Sequence, residues 1–136
     1  MVESFGGIIN LVIFVILTLG WAYYAFQMLV GTASFFDRFN ISHTGVIMGR
    51  FVGSFAAAGA IMHVIMLFTG PEGGWYIMTL FLMQGVIAAI ASLVTIRSQV
   101  GVKEGVKYTA EPVVAPLVFV AGYTYLLWAM SGIVYA

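Results

Sequence analysis

The sequence contains four apolar stretches that are each long enough to cross a lipid bilayer. A bilayer core about 30 Å thick requires about 20 consecutive apolar residues per helix. Each stretch reaches that length before glycine, proline or charged residues interrupt it. We therefore predict four transmembrane helices, with expected ranges 7–30, 44–69, 75–96 and 113–135.

The composition supports a chain that lies in lipid. Of its 136 residues, 62% are hydrophobic and 7% are charged, whereas soluble domains are about 45–50% apolar and about 25% charged. The chain has no cysteine, which excludes disulfides, thiolate chemistry and cysteine-ligated metal centres. Five basic and five acidic residues cancel, so no net field attracts nucleic acid. These features exclude a water-soluble enzyme.

The basic residues predict how the spans are oriented. All five lie in or beside the first and third loops: Arg38, Arg50, Arg97, Lys103 and Lys107. Loops one and three of a four-span chain share a side, and the positive-inside rule assigns loops 31–43 and 97–112 to the cytoplasm. We expect one domain over 1–136, an all-α integral membrane protein with four antiparallel transmembrane helices in a small bundle and both termini outside. This one-sided distribution of basic residues predicts a location in a bacterial inner membrane.

Small residues predict which helix faces pack. The second span carries Gly45, Gly49, Gly53 and Ala57 at intervals of four, a glycine-zipper pattern, and the third span offers a second small surface at Gly85 and Ala89. Residues four apart share a helix face, and small side chains let membrane helices approach closely. Because a short turn joins these spans, we predict a tightly packed hairpin of the second and third spans. A second copy of the chain is the alternative partner, in a homo-oligomer.

Three polar side chains inside the spans are the candidate binding residues. His63 lies on the small-residue side of the second span, about 9 Å from its outer end, and Gln84 lies about 13 Å from the same end of the third. With Tyr123 of the fourth span they predict a polar layer that includes a direct or water-bridged His63–Gln84 hydrogen bond. His63 is either an interhelical hydrogen-bonding residue or a contact for haem or quinone, because a neutral imidazole can serve in each role.

Two arginines are candidate contacts for lipid headgroups or another anion. Arg50 lies about 9 Å inside the second span, close enough for its side chain to reach the cytoplasmic headgroups. Its alternative is an ion pair with Asp37. Arg38 lies in the first loop at the headgroup level.

Two limited resemblances accompany these patterns. Ser42-His43-Thr44-Gly45, at a helix entry, resembles over four residues the haem-binding entry motif of succinate dehydrogenase membrane anchors. The chain lacks the arginine after that histidine, lacks a matching His and Asp on the next helix, and has four expected spans rather than three. The four-span plan, with an arginine near the start of the second span, is similar to small DoxX-like membrane proteins. Neither resemblance carries site residues over to this chain.

The sequence leaves three hypotheses for function. The first is a non-catalytic structural or accessory subunit of a membrane assembly or homo-oligomer. The second is a redox-associated subunit that contacts haem or quinone through His63. The third is a small oligomeric transporter or channel. No acidic residue lies within a span, and there is no His-x-x-x-His metal spacing or nucleophile–base pair. We therefore do not expect the chain to be an enzyme by itself.

Overall fold

A computed structural model describes residues 1–136, and all of its regular secondary structure is helical. Four of its helices are long and apolar enough to cross a membrane, so the predicted spans are confirmed as apolar helices. Short 3-10 turns precede the first and third helices. The helices are α1 (Ile8–Leu29), α2 (Thr32–Arg38), α3 (Val46–Thr69), α4 (Trp75–Ser98), α5 (Glu111–Ala129) and α6 (Ser131–Val134).

Apart from shifts of one or two residues at helix ends, the helices differ from the predicted spans at two places. The first loop contains the additional helix α2, which ends at Arg38. The fourth spanning helix ends at Ala129 rather than at Tyr135, and four further residues form the separate helix α6. Met130, between them, has φ −107° and ψ 19°, outside the helical region. The Ser131–Gly132 pair that follows it has low helix propensity, which favours a break there.

The spanning helices pack in two pairs, α1 with α3 and α4 with α5. The prediction of a tightly packed hairpin of the second and third spans, which are α3 and α4, is therefore wrong. The physical reason is a bulky ring at their contact. The Phe81 ring of α4 lies against Gly59 of α3, where an added Cβ would be 2.8 Å from Phe81 Cζ, so the benzyl group separates the two backbones.

The small residues do pack closely, but against other helices. A Cβ at Gly49 of α3 would lie 2.7 Å from Thr32 Cγ2 of α2, and a Cβ at Gly53 would lie 2.8 Å from Met28 Cβ of α1. On α4, a Cβ at Gly85 would lie 3.2 Å from the Pro116 carbonyl oxygen of α5. Gly45 contacts the Phe36 ring of α2, Ala89 is buried, and Ala57 packs at the edge of the core. Both small surfaces therefore serve packing within the chain.

The core lies at the end of the molecule that holds the chain termini. Side chains from the N-terminal segment, α1, α4, α5 and α6 are fully buried there, with no exposed surface: Phe5, Phe14, Met78, Leu126 and Val134. At the same end, the Trp75 ring at the start of α4 stacks on Tyr135, with ring centroids 5.9 Å apart. This end of the molecule is closed by aromatic and aliphatic packing.

The opposite end is held by contacts between the first and third loops. The Lys107 amide donates to the Phe39 carbonyl at 2.9 Å. The Asn40 side-chain amide donates to the Gly105 carbonyl at 2.7 Å. These bonds join the α1–α3 pair to the α4–α5 pair across their loops.

Replacement of Gly53 by alanine tests the close approach of α1 and α3. Alanine has a higher helix propensity than glycine. However, its Cβ would lie 2.8 Å from Met28 Cβ and 3.0 Å from the Met28 backbone carbonyl carbon. Backbone atoms cannot move aside without a cost in free energy. We expect Gly53→Ala to lower the stability by about 1–3 kcal/mol, measured as a lower thermal midpoint in detergent. Gly132→Ala is the matched control, because a Cβ there meets nothing within 4 Å. Equal thermal midpoints for the two variants would contradict the close packing of α1 on α3.

Candidate functional site

His63 is the centre of a buried hydrogen-bond network that joins three spanning helices. Its side chain has 0% exposure. His63 Nδ1 lies 2.7 Å from the Gly59 carbonyl oxygen, one turn earlier on α3. His63 Nε2 lies 2.8 Å from the Tyr123 hydroxyl of α5. Trp21 of α1 donates its indole N–H to the same hydroxyl at 2.7 Å.

The partners fix the direction of each hydrogen bond. A carbonyl oxygen can only accept, so Nδ1 of His63 carries the hydrogen that it shares with Gly59. In the neutral ring, Nε2 is then an acceptor, and Tyr123 donates its hydroxyl hydrogen to it. The Tyr123 oxygen accepts in turn from Trp21. Every polar hydrogen and both imidazole nitrogens are used, and no buried side-chain nitrogen or oxygen in the chain lacks a partner.

Aromatic rings enclose this network. The ring of Phe14 from α1 and that of Phe81 from α4 lie 5.0 and 5.2 Å from the imidazole, between ring centroids. The Phe81 ring also stacks on Tyr123 at 6.0 Å. The imidazole is therefore surrounded by rings and by its hydrogen-bond partners, with no path for a ligand to reach either nitrogen without a rearrangement.

The structure brings together two of the three predicted binding residues. His63 and Tyr123 are in direct contact, as a polar layer requires. The expected His63–Gln84 hydrogen bond does not form, because both imidazole nitrogens have other partners and Gln84 has an exposed side chain on α4. Sequence reasoning missed Trp21. The sequence does contain a signal for Trp21, because an indole N–H deep within a span needs a hydrogen-bond acceptor.

A second candidate site is a groove of about 450 Å³ at the end of the molecule that carries the first and third loops. It lies between α1, α2, α4 and α5, and we call it the loop-end groove. Gly20 and Trp21 of α1 and Phe119 of α5 form its inner end, whereas Lys107 and Glu111 lie at its outer rim. This volume is within the range of about 300–1,000 Å³ found for small-molecule pockets.

Two pairs of side chains form ionic contacts at this end of the molecule. Arg38 Nη2 lies 2.7 Å from Glu111 Oε2, and its guanidinium carbon lies 5.6 Å from the centre of the Phe35 ring. Asp37, the expected alternative partner of Arg50, instead contacts His43 Nε2 at 2.8 Å. Arg50 is exposed and forms no ion pair within the chain, so a headgroup contact stays a prediction for Arg50.

Comparison with family models, curated proteins and solved structures finds no match to this chain. The functional argument therefore depends on the two candidate sites. His43, the histidine of the Ser42–Gly45 segment, has an exposed side chain bound to Asp37. No group of three or more His, Asp or Glu side chains is arranged to hold a metal ion.

Replacement of Tyr123 by phenylalanine tests the network. The change removes one oxygen and leaves both the Trp21 N–H and His63 Nε2 buried without partners. Each unpaired buried group costs about 1–3 kcal/mol, so we expect a clear drop in the thermal midpoint in detergent.

Tyr125→Phe, on the same helix, is the matched control, because the Tyr125 hydroxyl has no partner in the chain. We expect it to leave the midpoint close to that of the wild type. If Tyr123→Phe is as stable as Tyr125→Phe, the network does not hold the helices together.

Proposed function

We propose that the chain is a non-catalytic structural or accessory subunit of a membrane assembly or homo-oligomer. The observation that carries this proposal is the closed state of the His63 network. His63 is fully buried, and its two nitrogens are engaged by Gly59 and Tyr123. A histidine held in this way stabilises the fold and presents no free nitrogen for chemistry.

The unequal burial of the spanning helices supports an assembly role. A third of the α1 and α3 spans is buried within the chain, against 17% for α4 and 11% for α5. The outward surface of α4 carries large apolar side chains: Leu80, Ile87, Ile90 and Val94. A partner helix that packs on α4 and α5 would cover the two spanning helices that are least buried within the chain. Close van der Waals packing drives the association of helices in lipid.

The redox alternative requires the network to open. Haem ligation through His63 needs a free imidazole nitrogen, and Nε2 becomes free only if the Tyr123 hydroxyl moves away. That movement also leaves the Trp21 N–H without an acceptor in an apolar core. The buried network therefore favours a structural His63 over a His63 that binds a ligand.

The transport alternative requires a path along a His63–Gln84–Tyr123 layer. Because Gln84 lies outside the network, that path has no continuous row of polar groups.

We further propose that the four helices alternate in direction and that both termini face outward from a bacterial inner membrane. Two sets of contacts support this topology. The first and third loops are hydrogen-bonded to each other, and Trp75, just after the turn at residues 70–74, stacks on Tyr135 near the C-terminus. The loop end carries the basic residues, which favours its cytoplasmic placement.

Cysteine labelling tests this topology. The chain has no cysteine, so single substitutions report on one site each. We expect Glu72→Cys, in the exposed turn between α3 and α4, to react with a membrane-impermeant maleimide in intact cells. Glu104→Cys, exposed in the third loop, should react only after the membrane is permeabilised. The reverse pattern would invert the proposed orientation.

Native mass spectrometry of the tagged chain, isolated from its source membrane in mild detergent, tests the assembly role. We expect a fixed stoichiometry with itself or with a defined partner. Ile87→Trp on α4 should reduce that species because the larger ring disrupts close packing on this surface. Ile61→Trp on α3 is the matched control, since the two isoleucines are 63% and 61% exposed.

Two results would contradict the assembly proposal. One is a monomer carrying only lipid in the wild type. The other is equal loss of the complex in both isoleucine variants. Gly49→Leu is unsuitable for this test, because Gly49 contacts Thr32 and Phe36 within the same chain, so the leucine would disturb the monomer itself.

A further inference from the structure

Three polar side chains of the spanning helices line the loop-end groove without hydrogen-bond partners in the chain. They are Gln27 of α1 and Gln84 and Ser92 of α4. None of the side-chain hydrogen bonds within the chain involves them. Amides and hydroxyls within a bilayer are costly when unpaired. In contrast with the closed His63 network, the groove therefore has hydrogen-bonding capacity to offer an occupant.

The α4 side of the groove combines polar groups with free space. Gln84, Ala88 and Ser92 are spaced by four and share one helix face. The neighbouring positions Gly85 and Ala89 are buried, and Gly85 lies against α5. Packing of α4 on α5 thus fixes the rotation of α4 about its axis. In this orientation Gln84 and Ser92 border the groove, with the small Ala88 side chain between them.

The inner part of the groove contains no charged group. Gln84 lies 13 residues before Arg97 on α4, about 20 Å by helical rise. The charged lining residues, Lys107 and Glu111, come from the third loop and the first turn of α5. An ionised headgroup beside Gln84 would have no counter-ion and would pay the cost of leaving water. The surroundings of Gln84 therefore favour a ligand with an uncharged headgroup.

Aromatic rings form the inner wall of the groove. The rings of Trp21 and Phe119 lie 5.3 Å apart, centroid to centroid. Phe119 approaches α1 closely because Gly20 has no side chain; a Cβ there would be 2.5 Å from Phe119 Cζ. Tyr24 and Phe35 line the groove nearer the loops. Aromatic side chains pack well against other rings, face to face or edge to face, so walls of this kind favour a planar ring over a branched glycerol head.

We propose that the loop-end groove binds a quinone-type amphiphile, a planar ring with carbonyl oxygens and an apolar tail. The Gln84 amide donates a hydrogen bond to one carbonyl oxygen, and the ring packs beside Trp21 and Phe119. An amide serves either form of such a ring, because it donates to a carbonyl and accepts from a hydroxyl. This inference goes beyond the proposed assembly role and needs no partner subunit.

Quenching of Trp21 fluorescence by decylubiquinone tests the proposal. The chain has three tryptophans, and Trp75→Phe with Trp128→Phe leaves Trp21 as the single reporter in the groove wall. The protein is placed in phosphatidylcholine nanodiscs, and a one-to-one quinone adduct is sought by native mass spectrometry. We expect saturable quenching by the quinone. Ala88→Leu, which fills the groove, should weaken binding at least tenfold, and Gln84→Leu roughly three- to tenfold, as expected for one lost hydrogen bond.

Ala91→Leu is the matched control, because Ala91 lies on α4 but outside the groove lining, and it should bind as the wild type does. Thermal midpoints of all variants separate lost binding from lost folding, and Gln84→Leu keeps the test valid if Ala88→Leu does not fold. Quenching that is non-saturable, or equal in Ala88→Leu and Ala91→Leu, would overturn the proposal. So would displacement of the quinone by equimolar 1-monooleoylglycerol, which has no planar ring. Loss of binding in Lys107→Gln but not in Gln84→Leu would also overturn it, because the quinone head would then lie at the outer rim and not beside Gln84.

Discussion

The Tyr123 hydroxyl is the atom on which the arrangement of the helices depends. A polar group in the bilayer interior has no water to bond with, so its partner has to come from another part of the protein. This one hydroxyl serves two such groups, the His63 imidazole of α3 and the Trp21 indole of α1. It therefore sets the rotation of α1, α3 and α5 about their axes, and Phe81 from α4 closes the remaining side.

Glycine placement decides how the helices are grouped around that centre. Gly49 and Gly53 bring α3 onto α1 and α2, while Gly85 brings α4 onto α5. Between the two pairs, the gap is filled at one end by Phe14, Phe81 and the buried residues around them. Nearer the loops the Trp21 and Phe119 rings meet between the pairs, and the gap beyond them is the loop-end groove. Close packing in one place and an open groove in another thus follow from the same two helix pairs.

The sequence predicts the spans better than it predicts their contacts. Span length depends on bilayer thickness, which composition reveals directly. The contacts depend on how each helix is rotated relative to its neighbours. A helical wheel places Gln84 and Gly85 100° apart on α4, but it does not say which of them faces α3. In the structure Gly85 packs on α5, so Gln84 is turned away from His63. The break at Met130 escaped prediction because no charged residue or proline follows it to mark the end of the apolar stretch.

The order in which the helices are synthesised gives the Tyr123 hydroxyl another consequence. Chains emerge from the ribosome N-terminus first, so α1 and α3 enter the membrane before α5. Until then the Trp21 N–H and the His63 Nε2 have no shared partner. An insertion intermediate that stops before α5 therefore exposes two unsatisfied polar groups to lipid. Packing of α5 against α1 and α3 then supplies the partner of both groups at once, through a single hydroxyl.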